Sequence, residues 1–160
     1  DDLTDRLLKG LKPEHILLAW SGREVVGCLG LWDQRAYRQR VIKGYSRRLG
    51  AVRRLWNLWG QPKLPCPDTT LGLLFLAMPC VRENDPEVFE SLLHEAFRRC
   101  DSSLHAVMLG LHERDPLLER ARLQPHRLYL SRLYLVYWPD GEKAVRKLDD
   151  RIPYLEAGGL

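Results

Sequence analysis

The sequence lacks several features that would place it in a specialised class of protein. No apolar run approaches the ~20 residues that cross a bilayer, and no internal repeat or low-complexity tract occurs. Its four cysteines (Cys28, Cys66, Cys80 and Cys100) form no C-x-x-C pair, so the spacing of a zinc site is missing. Cys28, Cys80 and Cys100 stand inside apolar patterns. We therefore expect a cytoplasmic protein with reduced core thiols, no membrane segment and no metal.

Acidic residues are missing from one long stretch, between Asp33 and Asp68. The same stretch carries nine basic residues: Arg35, Arg38, Arg40, Lys43, Arg47, Arg48, Arg53, Arg54 and Lys63. Such asymmetry is typical of a solvated face, of a face that a missing partner covers, or of a site for an anionic ligand such as a phosphorylated cofactor. We do not expect nucleic-acid binding, because one basic helix without a recognised motif is weak evidence for it.

The remaining composition is that of one folded domain. The chain has 160 residues, of which 45% are hydrophobic and 29% charged, and this is the usual size and balance of a single globular domain. It begins with Asp1 and not with Met. We expect a fragment of a longer protein, with residues 1–160 forming one domain.

The first half of the chain predicts two helices and a hairpin. Helical spacing of leucines over residues 1–11 predicts a first helix. Residues 15–20 and 24–32 read as two strands joined by a short turn, and Gly27 and Gly30 predict a bulge or a close backbone approach in the second. Residues 39–45 are a further strand candidate, and residues 49–59 are a basic amphipathic helix.

The second half predicts alternating strands and helices. Residues 71–78 form an uninterrupted apolar run, which is typical of a buried strand that ends at Pro79. A helix should begin at Asp85 and Pro86, with one stripe of buried side chains: Phe89, Leu92, Leu93, Ala96, Phe97 and Cys100. We then expect a strand at residues 105–111, a helix at 115–122, a strand at 127–138, a short helix from Lys143 and an edge strand at 152–155.

Three segments carry a resemblance to a known family: HILLAWSGREVVGCLGLWDQ, GLLFLAMPCVRENDPEVFESLLHEAFRRC and HAVMLGLHERDPLLERAR. In this order they resemble the GNAT N-acetyltransferase superfamily over residues 3–138. The resemblance implies an α+β fold, with a mixed, mostly antiparallel sheet, flanking helices and a central β-α-β-α-β segment. Residues 34–68, a basic insertion ending in prolines, resemble an insertion in bacterial tandem-GNAT proteins. The missing partner would then be an N-terminal GNAT-like half.

The resemblance also implies a site for acetyl-CoA. In the family the pantetheine arm lies between two splayed parallel strands, and backbone amides of the following turn hold the pyrophosphate. The corresponding cofactor-binding positions here are Ala77, Met78, Cys80, Val81, Arg82, Glu83, Asn84 and Asp85. This sequence departs from the family's turn, because both glycines are absent and Glu83, Asp85 and Glu87 place negative charge where phosphates would lie. The turn has the composition of a helix cap.

The catalytic positions that the resemblance implies are His112 and Glu113, which follow the fifth family strand. Histidine is a common general base in enzymes, and this is the role expected of His112. The alternative is a surface turn capped by Asp115. The tyrosine that family members often carry on the fourth helix is absent from residues 115–122.

Two functions stay open on the sequence alone. The first is an acetyltransferase that moves an acetyl group from acetyl-CoA to an amine, with a degenerate pyrophosphate turn. The second is a non-catalytic GNAT-like half that packs against a partner domain or dimerises through the basic segment, where Trp56 and Trp59 would be anchors.

Overall fold

The computed structural model describes residues 8–59, 63–154 and 156–159 and shows a mixed sheet flanked by helices. The strands are β1 (Ile16–Ser21), β2 (Glu24–Asp33), β3 (Leu73–Val81) and β4 (Ala106–Leu109), and the helices are α1 (Arg47–Trp59), α2 (Pro86–Arg98), α3 (Leu118–Arg122) and α4 (Glu142–Val145). The sheet order is β1-β2-β3-β4. The first two pairings are antiparallel and the third is parallel. The predicted α+β fold class is confirmed.

The predicted hairpin is confirmed, and its glycines have the expected roles. Gly22 occupies the turn with φ of +61°, a left-handed conformation that glycine adopts without strain. A Cβ on Gly30 would lie 3.2 Å from the carbonyl oxygen of Ala77 on β3. The glycine therefore allows β2 and β3 to approach closely at this point.

Helix α2 begins where the sequence predicted. The Asp85 carboxylate accepts hydrogen bonds from the amides of Glu87 and Val88, and Pro86 occupies the first turn. The buried stripe consists of Phe89, Leu92, Leu93 and Ala96, whereas Phe97 is partly exposed and Cys100 is half-buried. This stripe packs on Leu17, Leu29 and Leu76 and forms the larger core.

A second, smaller core lies around Trp32 and Phe75, with Leu11, Leu73 and Ala77. The indole of Trp32 donates a hydrogen bond to the carbonyl oxygen of Lys9, 2.8 Å away. The last described residues of the chain join this cluster, since Ala157 packs against it and Gly158 is buried. Side chains on both sides of β3 are thus buried, as the apolar run predicted.

Three strand predictions are wrong. Residues 127–138 form no strand, and their side chains are exposed, because none of the described strands lies beside them and pairs with their backbone groups. Residues 39–45 contain only an isolated bridge between Val41 and Thr70. Residues 152–154 are irregular, and Leu155 lies outside the described residues. The β-α-β-α-β segment accordingly lacks its last strand within the described part of the chain.

Strand β3 does not end at Pro79 but continues to Val81, because a bulge accommodates the proline in the ladder. The predicted helix at residues 1–11 falls mainly on residues outside the described ranges, and residues 8–10 form a bend and turn. The short helix predicted from Lys143 is observed as α4.

The basic insertion is anchored beside the start of β3. Val41 bridges Thr70, and the Arg35 guanidinium donates to the Ser103 hydroxyl, 2.5 Å away. Helix α1 is held by its own loop, where Asn57 exchanges hydrogen bonds with the backbone of Leu64. None of the residues of α1 is buried.

Candidate functional site

The parallel strands β3 and β4 pair over only part of their length, and a cleft opens beyond. The ladder runs from Leu73 opposite Ala106 to Leu76 opposite Leu109, while β3 continues five residues further, to Val81. A cavity of about 220 Å³ lies at this end of the strands. It is lined by Asn84, Gly110, Leu111, His112, Asp115, Pro116, Ile152, Pro153 and Tyr154. The carboxyl ends of parallel strands are the usual place for ligands in open sheets.

A bulge in β3 turns one amide out of the ladder at this cleft. Gly30 pairs with Ala77 and Cys28 pairs with Cys80, so Met78 and Pro79 together face the single residue Leu29. Met78 has φ of +49°. A non-glycine residue in this conformation costs about 1–3 kcal/mol and is over-represented at ligand sites.

The C-terminal tail, residues 152–154 and 156–159, provides the partners of this amide. The Met78 N–H donates to the Tyr154 hydroxyl oxygen, 2.7 Å away, and also lies 3.3 Å from Oε2 of Glu156. The Tyr154 hydroxyl in turn donates to Glu156. Its partial burial and its hydrogen bond to the carboxylate raise the pKa of Tyr154. Tyr154 as a whole remains 57% exposed.

The tail is fixed to the sheet by Gly158. The amide of Gln34, a buried side chain, donates to the carbonyl oxygen of Gly158 at 2.6 Å, and Arg38 donates to the same oxygen at 3.2 Å. A Cβ on Gly158 would lie 2.5 Å from the Trp32 ring. Tyr154 and Glu156 are therefore held at the bulge by a docked segment of backbone.

The turn after β3 keeps a shape that favours anions although its glycines are missing. Glu83 and Asn84 both have φ of +54°. The two residues belong to a 3-10 helical turn, Arg82–Asn84, which the Asp85 amide closes by donating to the Arg82 carbonyl oxygen, 3.1 Å away. Successive amides in left-handed turns form concavities that bind anions. The backbone of this turn therefore has the shape of an anion-binding turn.

The charges around this turn oppose that use. The Asp85 carboxylate occupies the amides of Glu87 at 2.8 Å and Val88 at 3.4 Å. Arg82, the predicted phosphate ligand, forms an ion pair with Glu24 at 2.8 Å. The prediction that the turn caps its own helix is confirmed, and a pyrophosphate here would have to displace or tolerate Asp85.

The two predicted catalytic residues have different positions. His112 lines the cavity, whereas Glu113 is exposed and does not line it. The Nδ1 atom of His112 accepts a hydrogen bond from the Arg114 amide, 3.1 Å away. The neutral ring then carries its proton on Nε2, so it presents a donor and not a base to any partner on that side.

The other predicted cofactor-binding residues are spread through β3 and its turn. Ala77 and Val81 are buried in the core, so their side chains are inaccessible to a ligand. Cys80 was predicted as a core thiol and is exposed. It lies directly opposite Cys28, and burial together with Cys80 raises the pKa of the Cys28 thiol.

The basic insertion lies at the opposite end of the sheet. Asp33 forms an ion pair with Arg35 at 2.7 Å. In the sheet, Asp33 pairs with Leu74, which lies near the start of β3 and seven residues before Val81. At about 3.3 Å per residue this is a separation of roughly 20 Å. The arginine anchored at Ser103 is therefore not a ligand for a phosphate at Glu83 and Asn84.

Tyr154 and Glu156 were missed by sequence reasoning. Tyr154 lies in a segment predicted as an edge strand, and Glu156 directly follows that segment. Both are far along the chain from the residues they contact, and no motif marks them. Only the docking of Gly158 on Gln34 brings them to Met78. Within the described ranges, no group of three or more His, Cys, Asp or Glu side chains could hold a metal ion, and no helix is long and apolar enough to cross a membrane.

Comparison with known proteins gives no relative: no family model matches the chain, and no curated protein or solved structure matches it.

Proposed function

We propose that this chain is a GNAT-like acyltransferase domain that binds an acyl-CoA in the cleft between β3 and β4 and transfers its acyl group to an amine. The observation that carries the proposal is the Met78 amide, turned out of the ladder by the bulge where the parallel strands separate. An amide in this position can donate to the carbonyl oxygen of a thioester. Such a donor stabilises the oxyanion that forms during acyl transfer.

The strand arrangement supports the same proposal. The structure has an antiparallel hairpin, a long central strand and a parallel fourth strand reached through α2. This matches the order that the sequence resemblance implies as far as β4. The left-handed turn at Glu83 and Asn84 lies at the end of β3, where the resemblance implies the pyrophosphate.

Tyr154 and Glu156 would then supply the proton chemistry. The Tyr154 hydroxyl lies 2.7 Å from the Met78 nitrogen, so it can deliver its proton to a thiolate that departs beside that amide. The amine attacks the thioester carbonyl and forms the C–N bond, the C–S bond breaks, and the thiolate takes the Tyr154 proton. The Glu156 carboxylate accepts the proton that the amine loses and returns it to Tyr154 through their hydrogen bond. Holding amine and thioester together would supply much of the acceleration.

Calorimetric titration with acetyl-CoA tests the proposal. We expect saturable binding with one site per chain, and the dissociation constant should be in the micromolar to millimolar range, because Asp85 repels the pyrophosphate. Titration with dephosphorylated pantetheine should show weaker binding to the same cleft. Absence of any heat from acetyl-CoA at millimolar concentration would contradict the proposal.

The variant Asp85→Asn tests whether the negative charge at position 85 weakens the binding of acetyl-CoA. Asparagine keeps an oxygen that caps α2, while the negative charge beside the phosphates is lost. We expect acetyl-CoA to bind several-fold more tightly to this variant. The matched control is Asp101→Asn, which removes one exposed carboxylate that accepts from the Ser103 amide at the far end of the sheet. It should leave the dissociation constant unchanged.

A non-catalytic half is the second candidate, and the exposure of α1 favours it. Trp59 is 86% exposed, and Leu55 and Leu58 beside it are also exposed. An apolar helix face of this kind is typical of a protein–protein contact. A chain that binds no acyl-CoA but forms a stable complex through α1 would favour this candidate over the first.

A further inference from the structure

The largest apolar surface of the described chain lies outside both the cleft and α1. Nine side chains of residues 128–138 are between 47% and 89% exposed: Leu128, Tyr129, Leu130, Leu133, Tyr134, Leu135, Val136, Tyr137 and Trp138. Each aromatic side chain can bury about 150–250 Å². Together the nine offer on the order of 1,000 Å², more than the ~800 Å² per partner of a standard protein interface.

The composition of this segment is that of a central strand. Apolar residues occupy both alternating sets of positions, β-branched and aromatic residues are frequent, and glycine and proline are absent from residues 127–138. In the structure the backbone of residues 127–137 forms no hydrogen bond with any described strand. A segment with this pattern is typical of the inside of a sheet. Here no described strand pairs with it, and the side chains on both of its faces are exposed.

The described sheet has an unpaired edge at β4. The order β1-β2-β3-β4 leaves the outer side of β4 unpaired among the described residues. The Ala106 N–H donates inward, to the Gly72 carbonyl oxygen at 3.3 Å. Because neighbouring residues of a strand face opposite edges, the Val107 amide points outward.

We propose that residues 127–138 of one copy add as a fifth strand to the outer edge of β4 in a second copy, and that the exchange is reciprocal. Each copy donates one segment and accepts one, so the assembly closes as a two-fold dimer. Pairing with β4 is favoured over pairing of the two segments with each other, because an isolated two-stranded ribbon is marginal in water. When it pairs with β4, the segment forms backbone hydrogen bonds with an existing sheet, and its apolar side chains extend the apolar layer of that sheet.

The test is light scattering on the full chain combined with hydrogen exchange. We expect the mass of a dimer for the natural sequence and that of a monomer for the double variant Leu130→Lys, Val136→Lys. Both side chains are exposed, so the change does not disturb the core. The control variant Leu55→Lys, Leu58→Lys removes similar apolar area from α1 and should remain dimeric.

Hydrogen exchange distinguishes the edge of β4 from other contacts. The Val107 amide should exchange at least ten-fold more slowly in the natural dimer than in the monomeric double variant. A natural chain that is monomeric, a dimer that survives both lysines, dissociation by the α1 variant, or unchanged exchange at Val107 would each overturn the proposal.

Discussion

Replacing Tyr154 with phenylalanine should lower the rate of acyl transfer about 100-fold, the lower end of the range for loss of a general acid. The substitution removes only the hydroxyl, which accepts from the Met78 amide and donates to Glu156. The exposed ring is kept, so the fold should be unaffected. The rate is measured as thiol release from acetyl-CoA in the presence of a panel of primary amines.

The control for this experiment is Tyr129→Phe. It makes the same chemical change at a side chain that is 84% exposed and does not line the cleft. Acetyl-CoA should still saturate both variants, because the proton that Tyr154 supplies is needed for departure of the thiolate and not for binding. Equal rates in the two variants would remove Tyr154 from the mechanism while leaving binding in the cleft intact.

Replacing Phe89 with alanine should lower the free energy of unfolding by about 3–5 kcal/mol. Phe89 is fully buried, at 0% exposure, where α2 packs on the sheet. Leu17, Leu29 and Leu93 are packed in the same core, so we do not expect neighbouring side chains to move in and fill the cavity that the ring leaves. Urea unfolding followed by fluorescence measures the change.

Phe97→Ala is the matched control, since it removes the same side chain from a partly exposed position of the same helix. Its cost should be well below that of Phe89→Ala, about 1 kcal/mol. If Phe89→Ala proves too unstable to purify, Phe89→Leu should still cost about 1 kcal/mol. Equal costs at positions 89 and 97 would mean that α2 does not pack as described.

The elements that the sequence predicted correctly are those whose signals are local. The hairpin has a turn and two apolar runs, and α2 has a cap, a proline and a periodic stripe within fifteen residues. The strand predicted at residues 127–138 has an equally clear pattern, but a strand needs a partner, and the pattern does not say where that partner is. The bulge at Met78 was likewise hidden, because Pro79 read as the end of β3 and not as part of it.

The candidate site was predicted only in part, for a similar reason. Asp85 as a cap and the lack of glycine at the turn follow from neighbouring residues. The left-handed backbone of Glu83 does not, since a glutamate rarely adopts it unless the surroundings impose it. Tyr154 and Glu156 reach the Met78 amide across more than seventy residues of sequence, and such contacts leave no local pattern.

The most direct measurement is the chemical shift of the Met78 amide in ¹⁵N-labelled protein during a titration with acetyl-CoA. If the cleft between β3 and β4 holds the thioester, this resonance should move progressively and saturate with the calorimetric dissociation constant, because its acceptor changes from Tyr154 to the thioester oxygen. The amide of Leu18 in β1, at the other edge of the sheet, should stay in place. A Met78 resonance that does not move while acetyl-CoA saturates the protein would contradict the account.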